Sequence, residues 1–114
     1  MEKKVGQSQI IDIPKFITGC TEKWTNMTLS EVNSSLIRLG VIEGEFHWHK
    51  HKREDEFFYV VDGTLYLDIE NRGTIELVPK QGYTVPKGVL HRTRANSRTV
   101  ILMVEQNTVQ PKGD

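Results

Sequence analysis

The chain reads as an all-β fold, a barrel or sandwich preceded by one short helix. Two observations predict this. From residue 35 to residue 105 the apolar residues recur in short runs of period two, the spacing of half-buried strands rather than helices. Turn signals at Asp62-Gly63, Asn71-Arg72-Gly73, Gln81-Gly82, Pro86-Lys87-Gly88 and Ala95-Asn96-Ser97 divide those runs, too closely for helical crossovers to fit between them.

The elements follow in order. Residues 9–13 alternate weakly and read as an edge strand. Pro14 suits the first turn of a short helix running towards Trp24, because its missing N–H has no helical partner there. From Ser35, the residues Ile37, Leu39 and Val41 share one face and Arg38, Gly40 and Ile42 the other, until Gly44 interrupts the pattern. Runs 57–61 and 64–69 flank Asp62-Gly63 as a hairpin. Runs 74–78, 83–85, 89–93 and 99–105 complete the set. Leu65, Leu67 and Ile69 share a face, as do Val100, Leu102 and Val104, and both sets are expected to line a narrow interior. Residues 108–114, with Pro111 and Gly113, read as a loosely held tail. At 114 residues the chain suits one domain, 1–114, with a single core.

Composition narrows the function. The 15 basic and 15 acidic side chains cancel, and no long block of one sign suggests a nucleic-acid surface. Apolar stretches such as 100–104 fall far short of the roughly 20 residues of a spanning helix. Met1-Glu2-Lys3-Lys4 leads into no apolar signal region, so a cytoplasmic location with no membrane contact is expected. Cys20 is the single cysteine, which excludes an intrachain disulfide and paired-cysteine metal sites. It reads as packing rather than as a nucleophile.

The informative cluster is His49, His51 and Glu56, joined later in the chain by His91. Histidines one residue apart project from the same face of a strand, about 7 Å apart along it, so both rings can converge on one ion. The hairpin that follows folds Glu56 back towards them. Three neutral imidazoles and a carboxylate suit one divalent Fe, Mn, Ni, Cu, Co or Zn at about 2.0–2.2 Å and suit calcium poorly. The plainer alternative is a solvated loop, since Lys50, Lys52, Arg53, Glu54 and Asp55 surround the histidines. His47 and Glu45 share the parity of His49 and are candidates for an acid or base beside the metal. In the plainer version His47 only lines the mouth and Glu45 is solvated. Phe58, Leu65, Leu67 and Thr93 are the expected pocket lining. Trp48 and Phe57 are expected to pack on a second sheet or a partner subunit.

These residues resemble the cupin superfamily. Its first motif is matched by His49-Lys50-His51, four residues, Glu56, six residues, Gly63, with Gly44 one position closer to His49 than is usual. Its second is matched by Pro86-Lys87-Gly88-Val89-Leu90-His91, with Lys80 where the family has glycine, Gln81 where an acidic residue is common and Ala95 at the place of its closing Asn. More narrowly, residues 44–51 and 55–58 resemble short single-domain cupins labelled mannose-6-phosphate isomerase-like. The resemblance implies a double-stranded β-helix, a jelly-roll-like barrel holding one metal, and a homodimer, to which the edge at residues 9–13 could contribute.

Two functions follow. One is a metal-dependent enzyme on a small molecule, of dioxygenase, lyase or isomerase type. The other is a non-catalytic module that holds a small carboxylate, sugar or polyketide-like ligand on its metal. Sugar-phosphate isomerisation is the weaker enzymatic form, because the interior inferred from Phe58, Leu65, Leu67 and Ile69 offers no inward Arg or Lys for a phosphate. A regulatory protein with an attached DNA-binding domain does not fit the length.

Overall fold

The structure, a computed structural model, describes residues 3–4 and 8–113. Its elements are β1 (Lys3–Lys4), α1 (Ile13–Thr18), β2 (Trp24–Val32), β3 (Ser35–Glu45), β4 (Glu56–Asp62), β5 (Leu65–Ile69), β6 (Gly73–Leu77), β7 (Gly82–Val85) and β8 (His91–Gln106). One sheet runs β1-β2-β3-β8-β4-β7, with β5 joined to β8 and β6 to β5. Among the described residues, every strand pairing apart from the parallel β1–β2 pair is antiparallel.

The long strand β8 closes the barrel. Its first residues pair with β5, from Ile69↔His91 to Tyr66↔Arg94. Its second half lies between β3 and β4, where Leu102 faces Leu39 on one side and Tyr59 on the other. Between these stretches Ala95, Asn96 and Ser97, expected as a turn, form an irregularity within a continuous strand. The β3 register passes from Ile42↔Thr99 to Gly44↔Ala95, a bulge that bends β8 from one partner to the other. The bulge is functional for packing as well. Ala95 is buried in the core, and the Arg98 guanidinium donates to the carbonyls of Cys20 (2.7 Å) and Ile17 (2.8 Å), tying the bulge to the end of α1.

Residues 9–13 are not a strand. Asp12 caps α1 through its carboxylate and the Lys15 N–H at 3.3 Å, with Pro14 in the first turn, so this segment starts the helix. The helix then stops at Thr18, well short of Trp24, which begins β2. Strand β2 was hidden in the sequence because Thr25, Asn26, Thr28 and Ser30 dilute its apolar pattern.

Two apolar clusters form. Phe58, Val60, Leu65, Leu67, Ile69, Ile101 and Met103 belong to the barrel interior. Met27, Leu29, Leu39, Val41 and Val100 form an outer layer, against which Ile13, Phe16, Ile17 and Cys20 pack. Val100, Leu102 and Val104 therefore do not line the interior. The inward face of β8 is Ile101, Met103 and Glu105, and Val104 is 37% exposed. Helix α1 covers the other face, so the run 100–104 is apolar on both sides and its parity is unreadable.

Lys80 has φ +74 and its N–H donates to Val60 O at 2.9 Å. A left-handed L-residue costs about 1–2 kcal/mol, while glycine adds roughly 0.5–1 kcal/mol of unfolded-state entropy. Lys80→Gly is expected to raise the melting midpoint by a few degrees, at about 4–8 °C per kcal/mol for a domain this size. An unchanged or lower midpoint by calorimetry contradicts it.

Candidate metal centre

The fold carries His49, His51, Glu56 and His91 to one end of the barrel interior. His49 and His91 exchange two backbone hydrogen bonds, each 2.9 Å, so their side chains leave adjacent backbones side by side. The loop bearing His51 is tied to the 86–88 turn by Gly88 N to His51 O (2.7 Å) and by Lys87 N to Asp55 Oδ1 (2.9 Å). Glu56 opens β4. On the outer face of β8, Asp68 accepts from Arg92 Nε at 2.7 Å and Arg94 Nε at 2.8 Å, which braces the strand either side of Thr93. Arg94 above all holds the Asp68 carboxyl well below its ordinary range.

One donor atom from each of the four residues lies within 4.8 Å of the others. Exposure is 9% for His49, 2% for His51, 7% for Glu56 and 1% for His91. That burial removes the solvated-loop alternative. His49 Nδ1 lies 3.0 Å from His47 O and His91 Nδ1 2.9 Å from Val89 O. Each Nδ1–H donates to its carbonyl, which leaves the Nε2 lone pair for the centre. Glu56 Oε1 lies 3.3 Å from His51 Nε2 and 3.5 Å from His91 Nε2, yet Glu56 Oε1 and His91 Nε2 are buried without a well-formed hydrogen bond. Buried polar atoms normally have partners, and one ion at their meeting point is a partner for both. Bonds of about 2.0–2.2 Å space the donors of a shared ion by about 3–4 Å, so the four need only a small inward adjustment. The residues fit a metal.

Electrostatics agree with ligation. Burial lowers the His49 pKa, countered in part by its bond to the His47 carbonyl, so the neutral form is favoured. Burial works to raise Glu56, but the facing His51 and His91 rings outweigh it and keep the carboxylate well below its ordinary range. Directly across the β4–β8 ladder from Glu56 stands Glu105, pushed up to about 8 by burial and then by Glu56, with Arg38 at 3.3 Å only partly offsetting this.

The sign of the Glu105 contribution is fixed by linkage. Its folded pKa is raised above its unfolded value of 4.5, so the folded state holds the extra proton and stability falls as pH rises between them. Lowered His49 acts oppositely, and only below its ordinary 6.5. Metal-free protein is therefore expected to lose stability from pH 6.5 to about 8, and Glu105→Gln to flatten that slope in denaturant titrations. A slope that persists in the variant contradicts this.

The acid and base candidates are placed elsewhere. Glu45 turns outward, its side chain 62% exposed and 3.3 Å from Arg92 Nη1. His47 sits at the rim, where its Nε2–H donates to Lys112 O at 2.8 Å. Gly44, at φ +103 beside the β3 bulge, breaks the alternation that had put both residues inward. Phe46 takes the inward place and stacks on Trp24 with centroids 5.4 Å apart.

Beside His49 and Glu56 lies a cavity of about 50 Å³. Of the four residues proposed as lining, Phe58 and Thr93 border it and Leu65 and Leu67 do not, being fully buried in the closed half of the core. Sequence reasoning missed Arg38, Glu105, Trp24, Phe46 and Pro111 in its walls. Arg38, 6% exposed, overturns the expectation of an interior without an inward cation. It had been visible as a charged residue on the Gly40, Ile42 face of β3. The tail is also held: Thr108 donates to Glu54 Oε2 at 2.8 Å, and a Cβ on Gly113 would come within 2.7 Å of the His49 Cβ. Asp114 lies outside the described residues. Trp48 is 44% exposed and packs under the Arg92 guanidinium, 5.2 Å from its ring centroid, rather than on a second sheet. Phe57 is half-buried on the outer face.

A β-barrel with three imidazoles and a carboxylate inside one end defines a class of proteins. A profile of the cupin domain matches residues 36–105, and the chain belongs to the cupin family. It is 42% identical over 89 residues to the uncharacterized protein YdbB of Bacillus subtilis, a match spanning 78% of this chain and 79% of that one. A solved cupin-2 domain containing protein from Shewanella frigidimarina is 31% identical with a TM-score of 0.81, covering 88% of this chain and 97% of that one. A protein from Acidithiobacillus ferrooxidans, named provisionally as a sugar phosphate isomerase, is 25% identical with a TM-score of 0.63, covering 73% and 58% respectively. Among the described residues no helix is long and apolar enough to cross a membrane.

Proposed function

We propose that this cupin holds one divalent transition metal on His49, His51, Glu56 and His91 and acts in the cytoplasm as a metal-dependent enzyme on a small molecule. The observation that carries the reading is the convergence of four buried donors, two with tautomers set by backbone carbonyls, beside a cavity that His49 and Glu56 help to line. A metal held by these residues would supply Lewis-acid activation of a substrate or water, or redox chemistry with dioxygen. The chain's own residues shape the rest. Trp24, Phe46 and Phe58 give the ligand an apolar wall, and Pro111 with the tail narrows access for water.

The second reading, a metal-containing binding module without turnover, is favoured by the placement of Glu45 and His47 away from the cavity. The mannose-6-phosphate isomerase-like assignment is disfavoured by size, because about 50 Å³ holds roughly three to five water-sized groups and a hexose phosphate is far larger. Pairing into a homodimer is part of the proposal. Residues 9–13 no longer supply its edge, but the β2–β3–β8 register sets Val32, Ile37 and Val104 on one outer face, with Val32 54% exposed. A dimeric mass by light scattering is expected, and a monomer at micromolar concentration contradicts it.

The functional test is elemental analysis of protein purified without chelators, followed by oxygen-uptake and spectral screening against small carboxylates, diols and sugar phosphates. A redox-active ion with ligand-dependent turnover supports the enzyme. Zinc with no turnover and thermal stabilisation by a small ligand supports the binding module.

A further inference from the structure

We infer that residues 111–113 form a lid over the mouth of the cavity, latched by His47, and that exchange of metal and small ligands waits on its opening. The lid stands on the geometry of the tail; its control of metal exchange rests on the metal-centre reading above.

Pro111 locates the mouth. Among the described residues that line the cavity it is the exposed one, the others being buried or half-buried. A residue that borders both solvent and the cavity stands at the boundary between them. The next two residues run along the rim. Lys112 O accepts from His47 Nε2–H at 2.8 Å, and a Cβ on Gly113 would come within 2.7 Å of His49 Cβ and 3.0 Å of Lys50 O. The tail therefore covers the segment that carries the first ligand.

This cover is lightly held. Strand β8 ends at Gln106, and beyond it the tail makes no strand pairing among the described residues. Asn107 N donates to Ser34 O at 2.9 Å and Thr108 Oγ1 to Glu54 Oε2 at 2.8 Å, which anchors the root. From there the chain is shaped by its own turns, Val109 N to Gln106 O (3.1 Å) and Gly113 N to Gln110 O (2.8 Å), and His47 fastens the far end. A segment with exposed hydrogen bonds and little buried apolar surface opens more readily than the barrel beneath it. Gly113, at φ +95, has a backbone conformation that L side chains rarely adopt, so a side chain there both strains the turn and pushes the lid from its seat.

A closed lid slows entry and exit alike. If it is open about a tenth of the time, both rates fall about 10-fold while their ratio, the affinity, is unchanged. Displacement of the His49 ligand differs, because it speeds release and lowers affinity.

The test uses full-length protein and Co(II), with binding followed by visible absorption in stopped flow and release followed in excess pyridine-2,6-dicarboxylate. Gly113→Val and His47→Ala are each expected to raise both rate constants at least about 10-fold, with the dissociation constant within about 3-fold of the parent's. His47→Ala decides the matter if Gly113→Val does not fold. Gly73→Val is the control, since Gly73 has φ +81 and nothing within 4 Å of its Cβ position, and it is expected to keep the parent's rates. Parental rates in a folded lid variant overturn the inference, as does faster release matched by lost affinity. A second readout needs no metal. Trp48→Phe leaves Trp24, which lines the cavity, as the one tryptophan, and its quenching by acrylamide is expected to double or more when Gly113→Val is added. No rise overturns the lid. Protein that takes up no Co(II) overturns the metal-centre reading, and the quenching then decides the lid alone.

Discussion

Alanine at position 51 is expected to empty the metal site. His51 is 2% exposed, and its Nε2 lies 3.3 Å from the Glu56 carboxylate at the centre of the donor set. Removing it takes away one of four ligands and leaves Glu56 with less to balance its buried charge. Substitution of groups that merely orient ligands typically costs 10–100-fold in metal affinity, and loss of a ligand is expected to exceed that. Elemental analysis of His51→Ala purified beside the parent is the check, with His47→Ala as the comparison. The rim variant removes the contact to Lys112 and the ring contacts with Phe46 and His49 and is expected to keep its metal, since the carbonyl that orients His49 belongs to the backbone. Equal metal content in the parent and His51→Ala contradicts the assignment.

Acid is expected to release the metal, because a ligating imidazole must be neutral and each bound proton competes with the ion. The burial that lowers the His49 pKa keeps that ring competent to somewhat lower pH than a free histidine. Occupancy is therefore expected to be full at pH 7, to fall below about pH 6 and to be lost by about pH 4. Stability follows the same course. Metal bound only by the folded state adds to its stability in proportion to the logarithm of free metal over its dissociation constant, so the melting midpoints of loaded and chelated protein converge in acid. Metal content that stays flat down to about pH 4, measured after equilibrium dialysis, excludes histidine ligation.

How much of this was legible depended on how local each signal is. The Asp62-Gly63 hairpin and the strands around it are written in adjacent residues, and β4 and β5 fall within one residue of where turn chemistry puts them. The ligand set was legible for the same reason, since two short motifs hold all four residues. What failed was non-local. Strand β2 is held by its register with β3, not by an apolar pattern of its own. The 95–97 segment looks like a turn until the change of partner along β8 shows it to be a bulge.

Parity failed in two places with two causes. At Gly44 a positive φ beside a bulge moved Phe46 into the interior and left Glu45 and His47 outside it. On β8, burial of both faces erased the alternation that would have marked Ile101, Met103 and Glu105 as inward. Arg38 was passed over because a charged residue on a strand is usually solvated, and the pairing with Glu105 at 3.3 Å that goes with its burial is a contact between residues 67 positions apart. The tail was read as loose because nothing in its composition announces the His47 ring and the Glu54 carboxylate that hold it.

The central claim is that His49, His51, Glu56 and His91 share one metal ion, and anomalous diffraction from crystals of the metal-loaded protein tests it most directly. The expected result is one strong peak at the end of the barrel interior, about 2.0–2.2 Å from a nitrogen of each histidine and an oxygen of Glu56. No peak there, or a peak bonded to other residues while these four stay apart, contradicts the account.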